Sequence, residues 1–216
     1  MVICNRRFIG YSLFIITAIL PVSCFKSLTV TNVVYQNNFD SYNLNTVEVY
    51  GWGPSLFELV PDVRIGSYNS NAVLGKLNNN IVKLSLNDLP THQVLRVEFD
   101  LYIHNKWKND LWQLAFNGSQ QLITGFSNDT TIKQSYPNWL NTSLSAAGAD
   151  AQNTNLPGVC SLVSSIRGTS LYRIVKTIEH SANSFVFTCG DSGGTFNDTC
   201  TRSWSIDNLK VSVFKN

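Results

Sequence analysis

Charge is scarce in this 216-residue chain: Asp, Glu, Lys and Arg together make up 14% of it, and only four residues are Glu. No 12-residue window carries an apolar stripe at helical spacing with polar residues opposite, which excludes a bundle of amphipathic helices. No stretch concentrates Lys or Arg, so binding of nucleic acid or an anionic membrane by charge is excluded too. Cys-x-x-Cys and closely spaced His pairs are missing, which argues against structural zinc. What the chain holds in quantity is amide and hydroxyl: 24 Asn and 23 Ser.

The N-terminus is organised differently from the rest. Arg6 and Arg7 precede an apolar run from Phe8 to Leu20, and Pro21-Val22-Ser23-Cys24 closes it with small residues. That order is that of a secretory signal. The apolar run falls short of the roughly 20 residues that span a bilayer as a helix. Residues 1–23 are therefore expected to be removed. Ser23-Cys24 is similar to a bacterial lipobox, with Cys24 as the acylated first residue, although Leu20 sits one place early. Ordinary cleavage near Ser23 is the alternative. Without Arg6 and Arg7, 14 basic residues balance 14 acidic ones. The mature chain, 24–216, is long enough for one sizeable core.

Beyond the signal the periodicity is two. Leu95, Val97, Phe99, Leu101 and Ile103 alternate with Arg96, Glu98, Asp100 and Tyr102, the pattern of an antiparallel strand with one buried face. Val30–Tyr35, Ala72–Leu77, Ile81–Leu86, Leu111–Phe116, Leu171–Ile178, Ser184–Cys189 and Ser205–Phe214 read alike. Turn signals such as Asn117-Gly118 and Leu156-Pro157-Gly158 separate them. The expected fold is all-β, an antiparallel β-sandwich of jelly-roll type, with a long surface loop near 141–157. Trp112 and Trp204 fall in strand patterns and belong to the core. Cys189 and Cys200 flank a Gly/Asp/Thr-rich loop and are the expected disulfide. With Cys24 acylated, Cys160 is left over; otherwise four cysteines allow three pairings.

From Leu86 onward the sequence resembles a group of exported bacterial proteins, frequent among the Bacteroidetes, with a lectin-like jelly-roll domain. The residues that carry this are Leu89-Pro90-Thr91-His92, Val97 to His104 with Trp107, Trp112, Asn117-Gly118, Phe126-Ser127-Asn128 and Gln134-Ser135-Tyr136-Pro137. Asn155 to Cys160 and Trp204 to Val211 complete the set. The resemblance implies a fold and an exported location more than an activity. It breaks at Lys106 and Lys108, which flank Trp107 where relatives carry Asp, so a cation is not expected there.

Five constellations could carry chemistry. Gly190-Asp191-Ser192-Gly193-Gly194 is similar to the nucleophile segment of trypsin-like proteases. It lacks the matching histidine segment, and we read it as a turn. Glu98 and Asp100 share a strand face and could form the carboxylate pair of a sandwich glycosidase. A solvated face with Arg96 as partner is the plainer reading. Asp40, near the start, and Asp207, near the end, could share a structural calcium if the first and last strands are neighbours. Trp52, Trp107, Tyr136 and Trp139 lie in polar, loop-like contexts, where an aromatic ring can stack on a sugar. Asn117, Asn128, Asn141 and Asn197 begin sequons that we read as coincidental.

The expected function is accordingly an exported, lipid-anchored, non-catalytic module at the cell envelope that binds carbohydrate or a cell-surface protein. The alternative is a glycoside hydrolase acting through Glu98 and Asp100. The first part is checked by fractionation. The native chain should partition with membranes and yield an N-terminal acylated Cys24 by mass spectrometry, and Cys24→Ser should release it to the soluble fraction.

Overall fold

The structure, a computed structural model, describes residues 29–41, 46–51, 58–59, 65–163, 167–191 and 198–215. The signal segment, Cys24, Trp52 and Ser192–Gly194 lie outside the described residues.

The described chain folds into two antiparallel sheets. The first runs β10 (Asn153–Leu156), β11 (Thr169–Glu179), β7 (Val94–Asn105), β13 (Arg202–Lys215), β5 (Asn71–Leu77) and β4 (Ile65–Tyr68), with β1 (Thr29–Asn37) also on β13. The second runs β3 (Glu58–Leu59), β2 (Val47–Gly51), β6 (Asn80–Leu86), β12 (Phe185–Asp191), β8 (Lys108–Phe116) and β9 (Ser119–Ser127). The fold is an antiparallel β-sandwich, as the periodicity requires. Each strand named from the sequence is present. β2, β3, β4, β9 and β10 are additions, and β10 corrects the expected loop at 141–157: Asn153 pairs with Leu171 and Leu156 with Thr169.

Alternation decides what each strand buries. On β7 the odd-numbered residues Leu95, Val97, Phe99, Leu101 and Ile103 are all buried inward. They face Trp112, Leu114, Phe116, Phe185 and Phe187 of the other sheet within a single core cluster. Edge-on aromatic contacts cross between the sheets. Phe99 meets Phe187 at 5.6 Å and Trp204 meets Trp112 at 6.2 Å between ring centroids, geometries that add to area burial.

The outer face of the first sheet is not solvated throughout. From Leu101 to Asn105 on β7 and from Arg202 to Asp207 on β13 every residue is buried. A second cluster of Tyr68, Val73, Tyr102 and Val159 covers that end. A short 3-10 helix (Cys160–Leu162) follows β10 there, and Cys160 is bonded to Cys200, Cα atoms 5.5 Å apart. This corrects the expected Cys189–Cys200 pair. Cys189 lies between outward-facing Thr188 and Gly190, so its side chain turns into the core, where it is free and 1% exposed. Nearness in sequence is overruled by the two-residue period of the strand.

Peptide mapping should recover a Cys160–Cys200 cross-link and leave Cys189 unalkylated until the protein is unfolded. Removing the bridge as Cys160→Ser closes no loop across a 40-residue separation and should cost about 2–4 kcal/mol in denaturant unfolding.

Candidate functional site

The titratable groups of the first sheet's outer face are spent on one another. Glu98 takes Lys210 at 3.1 Å, Arg96 at 2.9 Å and Arg173 at 3.7 Å, while Asp100 takes Arg173 at 2.9 Å. Asn208 Nδ2 donates to the other oxygen of Asp100 at 2.8 Å. Burial alone would raise Glu98, but the hydrogen bond from Lys210 and the charges of Arg96, Lys210 and Arg173 together hold it below the ordinary carboxylate range. A glycosidase acid needs the opposite shift. The pair nominated for catalysis is thus the centre of a salt-bridge network.

In the protease-like segment Asp191 is likewise engaged. Asp191 is fully buried and accepts from Trp204 Nε1 at 2.5 Å and Arg202 Nη2 at 3.0 Å. The histidines are engaged elsewhere. His104 holds Thr169 Oγ1 at 3.0 Å and Ser205 Oγ at 2.9 Å. His92 and His180 hold each other at 2.7 Å, Nε2 to Nδ1.

Asp207 sits at a bulge of β13 opposite Asp100 and is buried, while Asp40 is exposed and accepts from Asn38 Nδ2 at 2.6 Å. Burial, then the charges of Asp100 and Asp40, push Asp207 up to about 6. Among the described residues no group of three or more His, Cys, Asp or Glu comes together to hold a metal. Calcium takes six to eight oxygens. An ion between Asp40 and Asp207 would have to draw most of them from backbone carbonyls or from residues 42–45, outside the described residues.

The aromatic candidates divide. Trp107 is fully buried, a correction to its polar sequence context. Its ring packs under Arg202 at 5.0 Å, and Nε1 donates to the Ser203 carbonyl at 2.8 Å. Tyr136 is half-buried, packed 4.7 Å from Phe126 and 5.1 Å from Tyr172, so it offers no free platform. Trp139 is 42% exposed.

Among the described residues the second sheet's outer face is open, and sequence reasoning passed over it. Register stacks two rows of outward side chains across five strands. One is Glu48, Lys83, Thr188, Ala115, Gln120; the other is Tyr50, Ile81, Gly190, Gln113, Ile123. The central strand β12 contributes only Thr188 and Gly190, and a Cβ on Gly190 would collide with the carbonyl oxygen of Asn80. The rows therefore dip in the middle. Two adjoining cavities of about 330 and 290 Å³ result, sharing Ile81 and Thr188. At one end Tyr50 is fixed by its hydroxyl donating to Glu48 at 2.8 Å and by Lys83 over its ring at 5.6 Å. Lys83 is itself paired with Glu48 at 3.2 Å. At the other end the Trp139 segment runs along β9, where Leu140 N–H donates to the Ile123 carbonyl at 2.8 Å.

No family model matches the chain, and no curated protein matches it. Among solved structures, it is similar to dimeric latent PorU from Porphyromonas gingivalis at 10% identity and a TM-score of 0.37, over 87% of this chain but only 14% of that one. The K3 cleaved adhesin domain of Lys-gingipain from the same organism matches over 84% of this chain and 99% of that one, at 14% identity and a TM-score of 0.37. A family 35 carbohydrate binding module from Clostridium thermocellum matches over 77% and 87%, at 8% identity and a TM-score of 0.33. Values this low add nothing to the fold already described.

Two buried groups give opposite pH signatures. Desolvation, then the charge of Lys76, lowers His104 to about 3. The unfolded chain therefore takes up its proton first, and stability falls as pH drops from about 6.5, by on the order of 3 kcal/mol at pH 4. Asp207 is raised, so its penalty is absent below about pH 4 and grows as pH rises through 6. Thermal melts should show His104→Gln flattening the acid limb. Asp207→Asn should gain stability relative to wild type at pH 7 and not at pH 4.

Proposed function

We propose that the chain is an exported, lipid-anchored, non-catalytic module that binds carbohydrate at the cell surface, and that the outer face of its second sheet is the binding surface. The observation that carries this is the composition of the groove. Gln113 and Gln120 have no hydrogen-bond partner in the protein among the described residues, and they stand beside an aliphatic and aromatic floor of Ile81, Ala115 and Tyr50. Sugars present alternating hydroxyl edges and C–H faces. Amide donors and acceptors match the first, and rings or aliphatic carbons match the second.

The location follows from the signal-like N-terminus and is supported by the Cys160–Cys200 bridge, since disulfides persist in oxidising compartments. A non-catalytic role is supported by the full pairing of Glu98 and Asp100. Among the described residues no free carboxylate lines the groove either, as Glu48 is tied to Lys83 and Tyr50.

A glycan array on the full mature chain tests the proposal. At least one neutral glycan should bind, and Tyr50→Ala or Gln113→Ala should weaken it about tenfold or more, equivalent to 1.4 kcal/mol. Glu98→Gln with Asp100→Asn should leave binding intact. Binding to no sugar, or a glycan cleavage lost in the latter variant, would overturn it.

A further inference from the structure

The groove has a direction as well as a composition. Its two rows cross β2, β6, β12, β8 and β9 at right angles to the chain, a distance of about 19 Å at ~4.8 Å per strand step. The two cavities lie side by side along that direction and share the wall formed by Ile81 and Thr188. They differ in character. The β2 side offers Tyr50, Ile81 and the Lys83 stem, while the β8 side offers Gln113 and Gln120 over Ala115. Beyond β9 the segment that carries exposed Trp139 continues the line. Tyr50 stands at one end of the trough and the segment carrying exposed Trp139 lies along the strand at the other, with amides between them and no side chain on Gly190 at the lowest point.

Charge on the trough is cancelled locally. Among the described residues lining the two cavities Lys83 is the one cation, and it is held by Glu48. An anionic ligand would have to compete with that carboxylate, and a cationic one would find no free anion among the described residues. Neither gains from entering.

We infer that the trough takes a linear, uncharged oligosaccharide lying across the strands, at least two units long, with one unit against Tyr50 and Ile81 and the next on Gln113 and Gln120. Longer chains reach the Trp139 end. This rests on the carbohydrate reading above and narrows it to a ligand shape and charge. A monosaccharide fills only one of the two cavities and leaves the other set of groups unpaired.

Calorimetry on the mature chain with neutral gluco-, manno- and galacto-oligosaccharides of one to six units, and with oligogalacturonate of matched length, decides the matter. For the series that binds, affinity should rise about tenfold or more from one unit to three, and again for chains long enough to reach Trp139. Trp139→Ala should remove the gain of the longest chains and leave the two-unit affinity within about twofold. Tyr50→Ala should weaken every length. Ala115→Phe, which raises the floor without touching the core, should abolish binding while circular dichroism and the melt stay unchanged.

Equal affinity for one unit and for long chains, preference for oligogalacturonate, or insensitivity to Ala115→Phe would overturn the trough. Each of those outcomes leaves carbohydrate binding itself standing. Silence toward every sugar would instead remove the reading on which it rests.

Discussion

The ladder between β7 and β13 is the constraint from which the other parts take their positions. It pairs eleven positions from Arg202↔Asn105 to Phe214↔Val94, with one bulge between Asp207 and Lys210. β13 is longer than any other strand, and its free edge is divided, with β5 on its first half and β1 on its second. Because both strands alternate, the ladder sets the core on one side. Trp204, Ile206, Val211 and Val213 join Leu95, Val97, Phe99 and Leu101 there. On the other side it brings Lys210 opposite Glu98. The bulge re-aims the strand so that Asp207 is buried while Asn208, at φ 52°, reaches Asp100.

That ladder also explains why the two outer faces differ. The first sheet's face is filled, by salt bridges at one end and by the Tyr68–Val159 cluster at the other, and the Cys160–Cys200 bridge fastens the covering segment down. Asn105 ties the same region from below. Its Nδ2 donates to the Cys200 and Val159 carbonyls at 2.7 and 3.3 Å, and its Oδ1 accepts from Val159 N–H at 2.9 Å. The second sheet has no such cover among the described residues. Its centre is β12, which carries a threonine and a glycine at the outward positions beneath the two cavities. Among the described residues, openness there comes from side-chain size.

Most of the fold was legible in the sequence because alternation is a local signal. Gln93 to Ile103 announced β7, and Trp112 and Trp204 were placed in the core by their neighbours. β10 was hidden because Asn153, Thr154 and Asn155 carry no apolar period; it is an edge strand held by β11. Trp107 was misread for a related reason. Lys106, Lys108 and Asn109 make its surroundings polar, yet a hairpin turn can send one ring inward while its neighbours face water. Glu98 and Asp100 were visible as a pair, but their partners Arg173 and Lys210 come from strands 73 or more residues away in the chain. The groove was not legible at all. Each contributing strand supplies only one or two ordinary outward residues, and nothing but inter-strand register puts Tyr50, Thr188 and Gln113 in line.

Cys189 has a consequence for how the chain reaches this state. Three cysteines lie in the described residues, and the one that stays a thiol sits between the other two in sequence, 11 positions from Cys200. In an extended chain Cys189 is the nearer partner for Cys200, since loop closure favours short separations. The native bridge therefore depends on Cys189 being put out of reach. Docking of β12 between β6 and β8 hides its thiol, so oxidation that follows docking, or exchange that rearranges an earlier bond, leads to the native bridge. The strand that floors the groove thus also guards the fidelity of a bond made on the opposite sheet.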